Sequence, residues 1–538
     1  MSQKPTRAGG FSTSQPEVLR TGVPHLDNVL GGGLPQGSLV LVMGLPGSGK
    51  TSLASQIAFA AASSGKTVLI LTALSESTDK LIDHLRSFAF FAPELVGGRV
   101  QFLSLQQALS EGLSATRKLL LDEARRLRAD FILLDGFRGM RSVDAEPQAA
   151  REFLYELGTT LGALRTTLLI TSETDPRDPT FFPETTTADV ILGLHYTLLG
   201  VRQHRGIEVI KARGRAPLPG LHTLTISADG ASVYPQMEER ISRDVLGADA
   251  QTQGATPLQA ATVSPLRRLE RTRFDLPELD EMLTGGIPRG TCMLLAGSLG
   301  TGKTFLAMAY ALAGVRAGEP TVFLSFRESR AQLVQAASAF AFGDEFQRAI
   351  EPDGGLTLLD IPPIKLNPDI LGDRLLNELN RTGARRLIID SIAELERVLA
   401  RSGDTGRLED YLAALLLALR TRQVTALMLK ETDKAVAPTL DFSADVLSVL
   451  AESVLLLQQV PYQGQLHRIL SILKLRFSDH DATLREFEIK APGGVRMLGR
   501  AESDLGVLEG ITQRQEQRAT GDRGSPSVGD TRAEREQR

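Results

Sequence analysis

Short apolar runs alternate with helix-like segments along most of the chain, and this order occurs twice. In the first half the apolar runs are Ser38–Met43, Thr67–Thr72, Phe131–Leu134 and Thr167–Thr171. In the second half they are Thr291–Ala296, Thr321–Phe326, Arg386–Ile389 and Val424–Leu429. Helices are predicted at Ser52–Ser63 and Phe305–Arg316. Strands separated by helices predict an α/β fold, with a mostly parallel twisted sheet flanked by helices in each half.

The two halves are copies of one another. Residues 21–51 and 274–304 align in one unbroken register, in which Leu26-Asp27 matches Leu279-Asp280 and Lys50 matches Lys303. A repeat of domain size indicates a duplicated domain. We therefore expect a flexible N-terminus at 1–16, a first domain at 17–246, a linker of small polar residues at 247–265, a second domain at 266–505 and a disordered polar tail at 506–538.

The composition narrows the class of protein. A chain of 538 residues is too long for a single core, and its charged content of 23% is ordinary for a globular protein. No apolar run is long enough to cross a membrane, no apolar segment near the N-terminus resembles a secretory signal, and Cys292 is the only cysteine. A cytoplasmic protein without a membrane partner is therefore expected. The 60 basic and 64 acidic residues show no basic excess, so nucleic acid is not expected as a partner either.

Each copy contains a glycine-rich loop of the form G-x-x-x-x-G-K-T between a predicted strand and a predicted helix. The residues expected to bind ATP in the first copy are Gly44, Gly47, Ser48, Gly49, Lys50, Thr51 and Ser52. In the second copy they are Gly297, Gly300, Thr301, Gly302, Lys303, Thr304 and Phe305. The glycines let backbone N–H groups turn towards phosphate oxygens, the lysine neutralises the phosphates and the threonine hydroxyl reaches Mg²⁺. One such match could be a glycine-rich turn without a ligand, but two at the same place in a repeat favour P-loops.

A buried strand ends in aspartate in both copies, at Asp135 and at Asp390. The carboxyl ends of parallel strands face the crevice in which open α/β sheets bind ligands. These carboxylates are therefore expected to act in catalysis by holding Mg²⁺ through water, together with Thr51 and Thr304. The alternative is that each strand merely ends in aspartate at a turn.

The chain resembles the KaiC family of RecA-like P-loop ATPases, in its double-domain branch of circadian clock kinases. The motifs that carry the resemblance are the paired L-D lead-ins, the two P-loops, Glu328–Leu333, Leu456–Gln458, Ile472–Arg476 and Val209–Gly214. The resemblance covers residues from about 17 to about 500. It implies two tandem RecA-like domains, Mg-ATP binding and hydrolysis, serine/threonine autophosphorylation and a double-ring homo-hexamer with ATP between protomers. Clock-type or signalling protein partners are also implied.

The resemblance gives two K-x-R pairs a role across the protomer interface. Lys211 and Arg213 in the first copy, and Lys474 and Arg476 in the second, correspond to residues that reach the triphosphate of the neighbouring protomer. Residues i and i+2 of an extended strand share a face, so each pair would present two cations to one target. Without the resemblance, a K-x-R pair on a solvated strand would be the favoured explanation.

The sequence departs from the family at the catalytic carboxylates. Clock-type members carry two adjacent glutamates after the second strand, and these positions are Ser75-Glu76 and Arg327-Glu328 here. Glu76 and Glu328 are the catalytic candidates, although each could be a solvated or structural carboxylate. Because neighbouring residues of an extended chain point to opposite sides, neither simply replaces the missing glutamate. Hydrolysis is therefore expected to be slow or differently organised.

The segment that clock-type members phosphorylate is only partly retained. Ser448 matches the serine of the family's Ser-Thr pair, Val449 replaces the threonine, and Ser443 matches a further hydroxyl position. Ser448 is the main phosphosite candidate and Ser443 a second one, the alternative for Ser448 being an ordinary serine leading into a strand. Thr185–Thr187 is interpreted as a polar loop. Two other functions stay open: an ATP-dependent assembly or signalling scaffold with little turnover, and a recombinase-like DNA-binding ATPase, which the charge balance disfavours.

Overall fold

A computed structural model describes residues 17–72, 77–137, 147–178, 182–199, 202–249, 270–364, 366–401, 406–432, 446–462, 465–476, 478–481 and 483–500. The chain divides into two compact units, Met1–Pro257 and Leu258–Arg538. Within the described residues, no helix has the length and apolar character needed to cross a membrane.

The first unit is built on one nine-stranded sheet. Its strands run from β1 to β11: Val18–Leu19, Leu34–Pro35, Leu39–Gly44, Val68–Thr72, Val100–Ser104, Phe131–Asp135, Thr167–Ser172, Val190–Leu199, Arg202–Ala212, His222–Ser227 and Gly230–Tyr234. The order is β11-β10-β9-β8-β3-β7-β6-β4-β5, and β1 and β2 form a separate pair. The helices are Leu26–Val29, Lys50–Ser63, Thr78–Leu85, Gln106–Ser110, Leu113–Leu127, Pro147–Ala163, Pro183–Thr187 and Met237–Asp249, with a 3-10 turn at Pro93–Leu95.

The second unit repeats this topology. Its strands run from β12 to β22: Arg271–Thr272, Ile287–Pro288, Cys292–Gly297, Thr321–Ser325, Leu356–Asp360, Arg386–Asp390, Thr425–Glu431, Ser453–Tyr462, Gln465–Leu475, Arg485–Lys490 and Gly494–Arg500. The nine-stranded order is β16-β15-β17-β18-β14-β19-β20-β21-β22. The helices are Pro277–Met282, Lys303–Arg316, Arg330–Ser338, Gly343–Ala349, Pro368–Thr382, Ile392–Ala400, Arg407–Thr421 and Val446–Leu450.

The predicted fold class is confirmed in both units. In the first unit, the strands β8, β3, β7, β6, β4 and β5 lie side by side in this order and pair in parallel. The strands β9 to β11 add an antiparallel extension beside β8. The P-loop strand β3 lies in the sheet interior and is buried along its whole length. Val40 and Val42 pack into the core on one face, whereas Leu39, Leu41 and Met43 pack into the core on the other. A strand covered on both faces is continuously apolar, which explains why the sequence showed it clearly.

Several predicted boundaries were wrong. The P-loop helices begin at Lys50 and Lys303, before the predicted starts, because the lysine itself opens the helix. Thr185–Thr187 is not a loop: it belongs to the helix Pro183–Thr187, in which Pro183 supplies the favourable first position. The domain boundaries stay predictions: the helix Met237–Asp249 spans residue 246, and residues 250–269 lie outside the described residues.

Candidate functional site

The first glycine-rich loop joins β3 to the helix Lys50–Ser63 in a conformation that requires glycine. Gly47 and Gly49 have φ angles of 80° and 101°, in the left-handed region that side chains disfavour. A Cβ atom on Gly49 would lie 2.1 Å from Cδ1 of Ile226, so a larger residue would also collide with the neighbouring strand. The loop therefore brings its backbone close to the helix N-terminus, where anions bind favourably.

The second loop repeats this geometry between β14 and the helix Lys303–Arg316. Gly300 and Gly302 have φ angles of 77° and 99°. A Cβ atom on Gly302 would again lie 2.1 Å from an isoleucine Cδ1, that of Ile489. Two loops separated by a whole domain thus have matching backbones, as expected for a duplicated phosphate site.

The lysine of each loop is buried and held by the loop's own carbonyls. Nζ of Lys50 donates to the carbonyls of Gly44 and Leu45, at 2.9 and 3.1 Å. Nζ of Lys303 donates to the corresponding carbonyls of Gly297 and Ser298, both at 2.9 Å. Burial lowers the pKa of both ammonium groups, while the nearby carboxylates act in the opposite direction. Each cation therefore lies where it could exchange carbonyl oxygens for phosphate oxygens.

Each loop threonine contacts the aspartate predicted for its copy. The hydroxyl of Thr51 donates to Oδ2 of Asp135 at 3.1 Å, and that of Thr304 donates to Oδ2 of Asp390 at 2.7 Å. Thr171, at the end of β7, donates to Oδ1 of Asp135 at 2.5 Å, a contact that the sequence analysis missed. Burial raises the pKa of both aspartates, that of Asp390 to about 6.

These oxygens match the preference of a hard cation. A hydroxyl beside a carboxylate is a donor set suited to Mg²⁺, which usually takes one or two protein ligands and completes its shell with phosphate oxygens and water. Among the described residues, no group of three or more histidine, cysteine or acidic side chains could hold a metal ion alone.

Of the two glutamates predicted to act in catalysis, only Glu328 lies within the described residues. Ser75 and Glu76 lie outside the described residues. Glu328 follows β15, its backbone N–H donates to Oγ of Ser325 at 3.2 Å, and it lines the same cavity as Lys303 and Asp390. The cavity has a volume of about 380 Å³, and its lining also includes Phe305, Phe340 and Ile489.

Arg327 also lines this cavity, but two glutamates bind its guanidinium. Nε donates to Oε1 of Glu394 at 3.1 Å, and Nη1 donates to Oε1 of Glu431 at 2.7 Å. The sequence predicted a cation at this position but neither of its two partners. Glu431 is the last residue of β18 and Glu394 lies in the helix Ile392–Ala400, so only the folded chain brings the three side chains together.

Within the chain, the lysines of the K-x-R pairs bind the segments that precede β8 and β19. Nζ of Lys474 donates to the carbonyls of Ser448, Val449 and Ala451 at 3.0, 3.2 and 2.7 Å, at the end of the helix Val446–Leu450. Lysine at this position satisfies carbonyls that the helix leaves unpaired. Arg476 is exposed and lies one residue beyond the end of β20, so the expected shared face of a strand does not describe this pair.

The corresponding pair of the first copy behaves in the same way. Nζ of Lys211 donates to the carbonyl of Thr186 at 3.4 Å, near the end of the helix Pro183–Thr187. Arg213 lies one residue beyond β9 and forms an ion pair with Asp189 at 3.2 Å. In both copies a lysine therefore fixes the end of a short helix beside the sheet.

The phosphosite candidate lies in a helix and not in a strand lead-in. Ser448 is 8% exposed within Val446–Leu450, whereas Val449 beside it is 55% exposed. Ser443 lies outside the described residues. Access to the Ser448 hydroxyl therefore requires this helix to move.

Comparison with known proteins agrees with this geometry. The family model described as "ATPase: KaiC" matches residues 19–238 and 273–502. The chain is similar to the circadian clock oscillator protein KaiC of Picosynechococcus sp., with 26% identity over 502 residues and 91% of each chain covered. It is also similar to KaiC 1 of Synechocystis sp., with 26% identity and 89% and 88% covered. Against KaiC of Synechococcus elongatus the identity is 25%, with 88% of each chain covered.

Proposed function

Because this chain belongs to the KaiC family of ATPases, we propose that it binds and hydrolyses Mg-ATP at both P-loops as a hexameric, autophosphorylating regulatory protein. The observation that carries the proposal is the repeated pair of contacts in the two units, a buried lysine on loop carbonyls and a threonine on an aspartate. Family membership implies nucleotide binding and ATPase activity. The residue roles, Mg²⁺, the kinase activity and the assembly are proposals.

The loop residues bind the triphosphate. Lys50 and Lys303 turn from their carbonyls to the β- and γ-phosphates, while N–H groups at the helix N-terminus donate to the remaining oxygens. The buried hydroxyl of Ser48, which has no hydrogen-bond partner within the described residues, fits a further phosphate oxygen. Thr51 and Asp135, and likewise Thr304 and Asp390, hold Mg²⁺, which when bound neutralises charge that develops on the phosphates.

Catalysis then depends on a carboxylate that positions water. In the second unit Glu328 lies in the cavity with Lys303, and its backbone is fixed by Ser325. A carboxylate that orients the attacking water must lie within hydrogen-bond reach of it, about 3 Å. Glu76 is proposed for the same task in the first unit.

Assembly would use the K-x-R pairs. Arg476 is exposed at the end of β20 and can reach a neighbouring protomer without breaking a structural contact that the fold needs. Lys474 would first have to leave the carbonyls of Ser448, Val449 and Ala451. A trans contact by Lys474 and the release of the Ser448 helix would therefore occur together, which links assembly on ATP to phosphorylation.

A scaffold with little turnover is the second candidate function. Arg327 places a cation bound by two glutamates where clock-type members carry a catalytic glutamate, and this favours slow hydrolysis in the second unit. The two functions differ in whether ADP is released while the assembly persists.

Replacing the P-loop lysines tests the two binding sites. Lys50→Ala and Lys303→Ala should each leave one Mg-ATP site per chain, and the double variant should leave none, because each loop has its own complete phosphate cradle. Isothermal titration calorimetry gives the number of sites. Lys66→Ala, which removes a surface lysine paired with Asp130 at 3.7 Å, is the control and should retain two. A single lysine variant that still binds two nucleotides would show that its loop is not a site.

Light scattering with and without Mg-ATP tests the assembly. Nucleotide bound at an interface stabilises the assembled form by about 3 kcal/mol per site at a hundredfold excess over its dissociation constant, so hexamers should form only with ATP. Arg476→Met should weaken assembly, because it removes a trans cation and leaves the Lys474 contacts in place. Lys490→Met, on an exposed residue of the neighbouring strand, is the control. A chain that stays monomeric at saturating ATP contradicts the proposal.

A phosphopeptide map after incubation with ATP tests the kinase activity. Phosphate should appear slowly on Ser448, since general-base help is typically worth ~10²–10⁴-fold and Arg327 occupies one glutamate position. Ser448→Ala should abolish the label, and Ser443→Ala should retain it. Phosphate found only outside residues 440–450 would exclude the assignment.

A further inference from the structure

The Arg327 cluster, formed by Glu394, Arg327 and Glu431, lies in the wall of the second nucleotide cavity. The side chain of Glu394 is 7% exposed and also accepts from Nη1 of Arg397 at 2.6 Å, so it is a fixed anchor. Arg327 is 39% exposed and Glu431 is 31% exposed, so both face the cavity solvent. The cluster therefore joins a buried carboxylate to one at the cavity surface through a single guanidinium.

Glu431 lines this cavity from the end of β18, the strand beside the P-loop strand. It pairs in strand register with Gly297, the residue that opens the P-loop. Its strand β18 lies between the P-loop strand β14 and the strand β17 that ends in Asp390. Burial lowers the pKa of Lys303, and among the carboxylates that oppose this effect Glu431 acts more strongly than Asp390. Glu431 thus lines the same cavity as the ammonium that would bind the γ-phosphate.

We propose that Glu431 deprotonates the attacking water that Glu328 orients in the second site, and that Arg327, anchored by Glu394, masks the Glu431 carboxylate and restrains hydrolysis there. The inference rests on the proposed ATPase function. In the step, the water oxygen bonds to the γ-phosphorus as the bond from that phosphorus to the β–γ bridging oxygen breaks. The water proton passes to the Glu431 carboxylate and then to solvent, and the products are ADP and inorganic phosphate.

The masking follows from hydrogen-bond chemistry. A carboxylate oxygen that accepts a charge-assisted hydrogen bond from a guanidinium has a lone pair occupied and cannot offer it to a water. The anchor matters because an arginine held only by Glu431 could swing to a phosphate, which offers a bidentate partner of its own. Glu394 keeps the guanidinium on the carboxylate side of the cavity.

The arginine and its anchor, which are proposed to restrain hydrolysis, occur only in the sequence of the second copy. The positions that match Arg327, Glu394 and Glu431 in the first copy are Ser75, Gly139 and Glu173. Serine and glycine supply neither the cation nor its anchor. The carboxylate is retained, since Glu173 directly follows β7, the strand between β3 and β6. The charge of Glu173 opposes the effect of burial on the pKa of Lys50, as Glu431 does for Lys303.

The test measures ADP release in a Lys50→Ala background, where only the second site turns over. Arg327→Gln and Arg327→Met should each raise kcat by about tenfold to a hundredfold, within the range of general-base catalysis, with ATP still bound. Two neutral replacements guard against a folding defect in either one, and circular dichroism checks both. Adding Glu431→Gln should remove the gain. Arg327→Lys, which keeps a cation beside Glu431, should stay near the parent rate.

Arg316→Gln is the matched control, because Arg316 also bridges two carboxylates, Glu345 at 2.7 Å and Asp275 at 3.4 Å, but lies outside the cavity lining. It should leave the rate unchanged. The proposal is overturned if the neutral Arg327 variants are no faster, if they lose ATP affinity and rate together, or if Glu431→Gln leaves their gain intact. A Lys50→Ala chain that binds no ATP would overturn the proposed function itself, and the inference with it.

Discussion

Each unit is organised around a lysine ammonium buried in a glycine-rich loop and held by two carbonyls of that loop. Burying a charge is costly unless hydrogen bonds compensate it, and these carbonyls compensate it without fixing an anion in place. The arrangement requires left-handed glycines at Gly49 and Gly302, a helix that starts at the lysine itself, and a strand buried on both faces beneath the loop. That strand belongs to the central parallel sheet, so the packing that forms the fold also positions the glycine-rich loop.

The contacts of the P-loop residues are the same in the two units, whereas Arg327 and Glu394 of the second copy have no charged counterpart in the sequence of the first. Lysine–carbonyl and threonine–aspartate contacts recur in both units. In the second unit Arg327 and its two glutamates add a fixed charge network that the sequence of the first copy cannot form. Duplication thus preserved the lysine–carbonyl and threonine–aspartate contacts, while the residues at the positions of Arg327 and Glu394 diverged.

The sequence predicted the parts of the site that are set by short spacing. The loops and the strands ending in Asp135 and Asp390 were readable because their residues are neighbours in the chain and fully buried strands are apolar throughout. The partners of Arg327 are 67 and 104 residues away, and no local pattern joins them. The carbonyls that bind Lys474 belong to a short helix, and the sequence around Ser448 lacks the length and caps that would have revealed one.

The most direct test is an experimental structure with Mg²⁺ and a non-hydrolysable ATP analogue. We expect a nucleotide at each P-loop. Nζ of Lys50 and Lys303 should have moved from the loop carbonyls to the β- and γ-phosphates. Mg²⁺ should lie between Thr51 and Asp135 and between Thr304 and Asp390. This expectation would be contradicted by saturating nucleotide bound elsewhere in either unit while the lysine of that unit still donates to its own carbonyls.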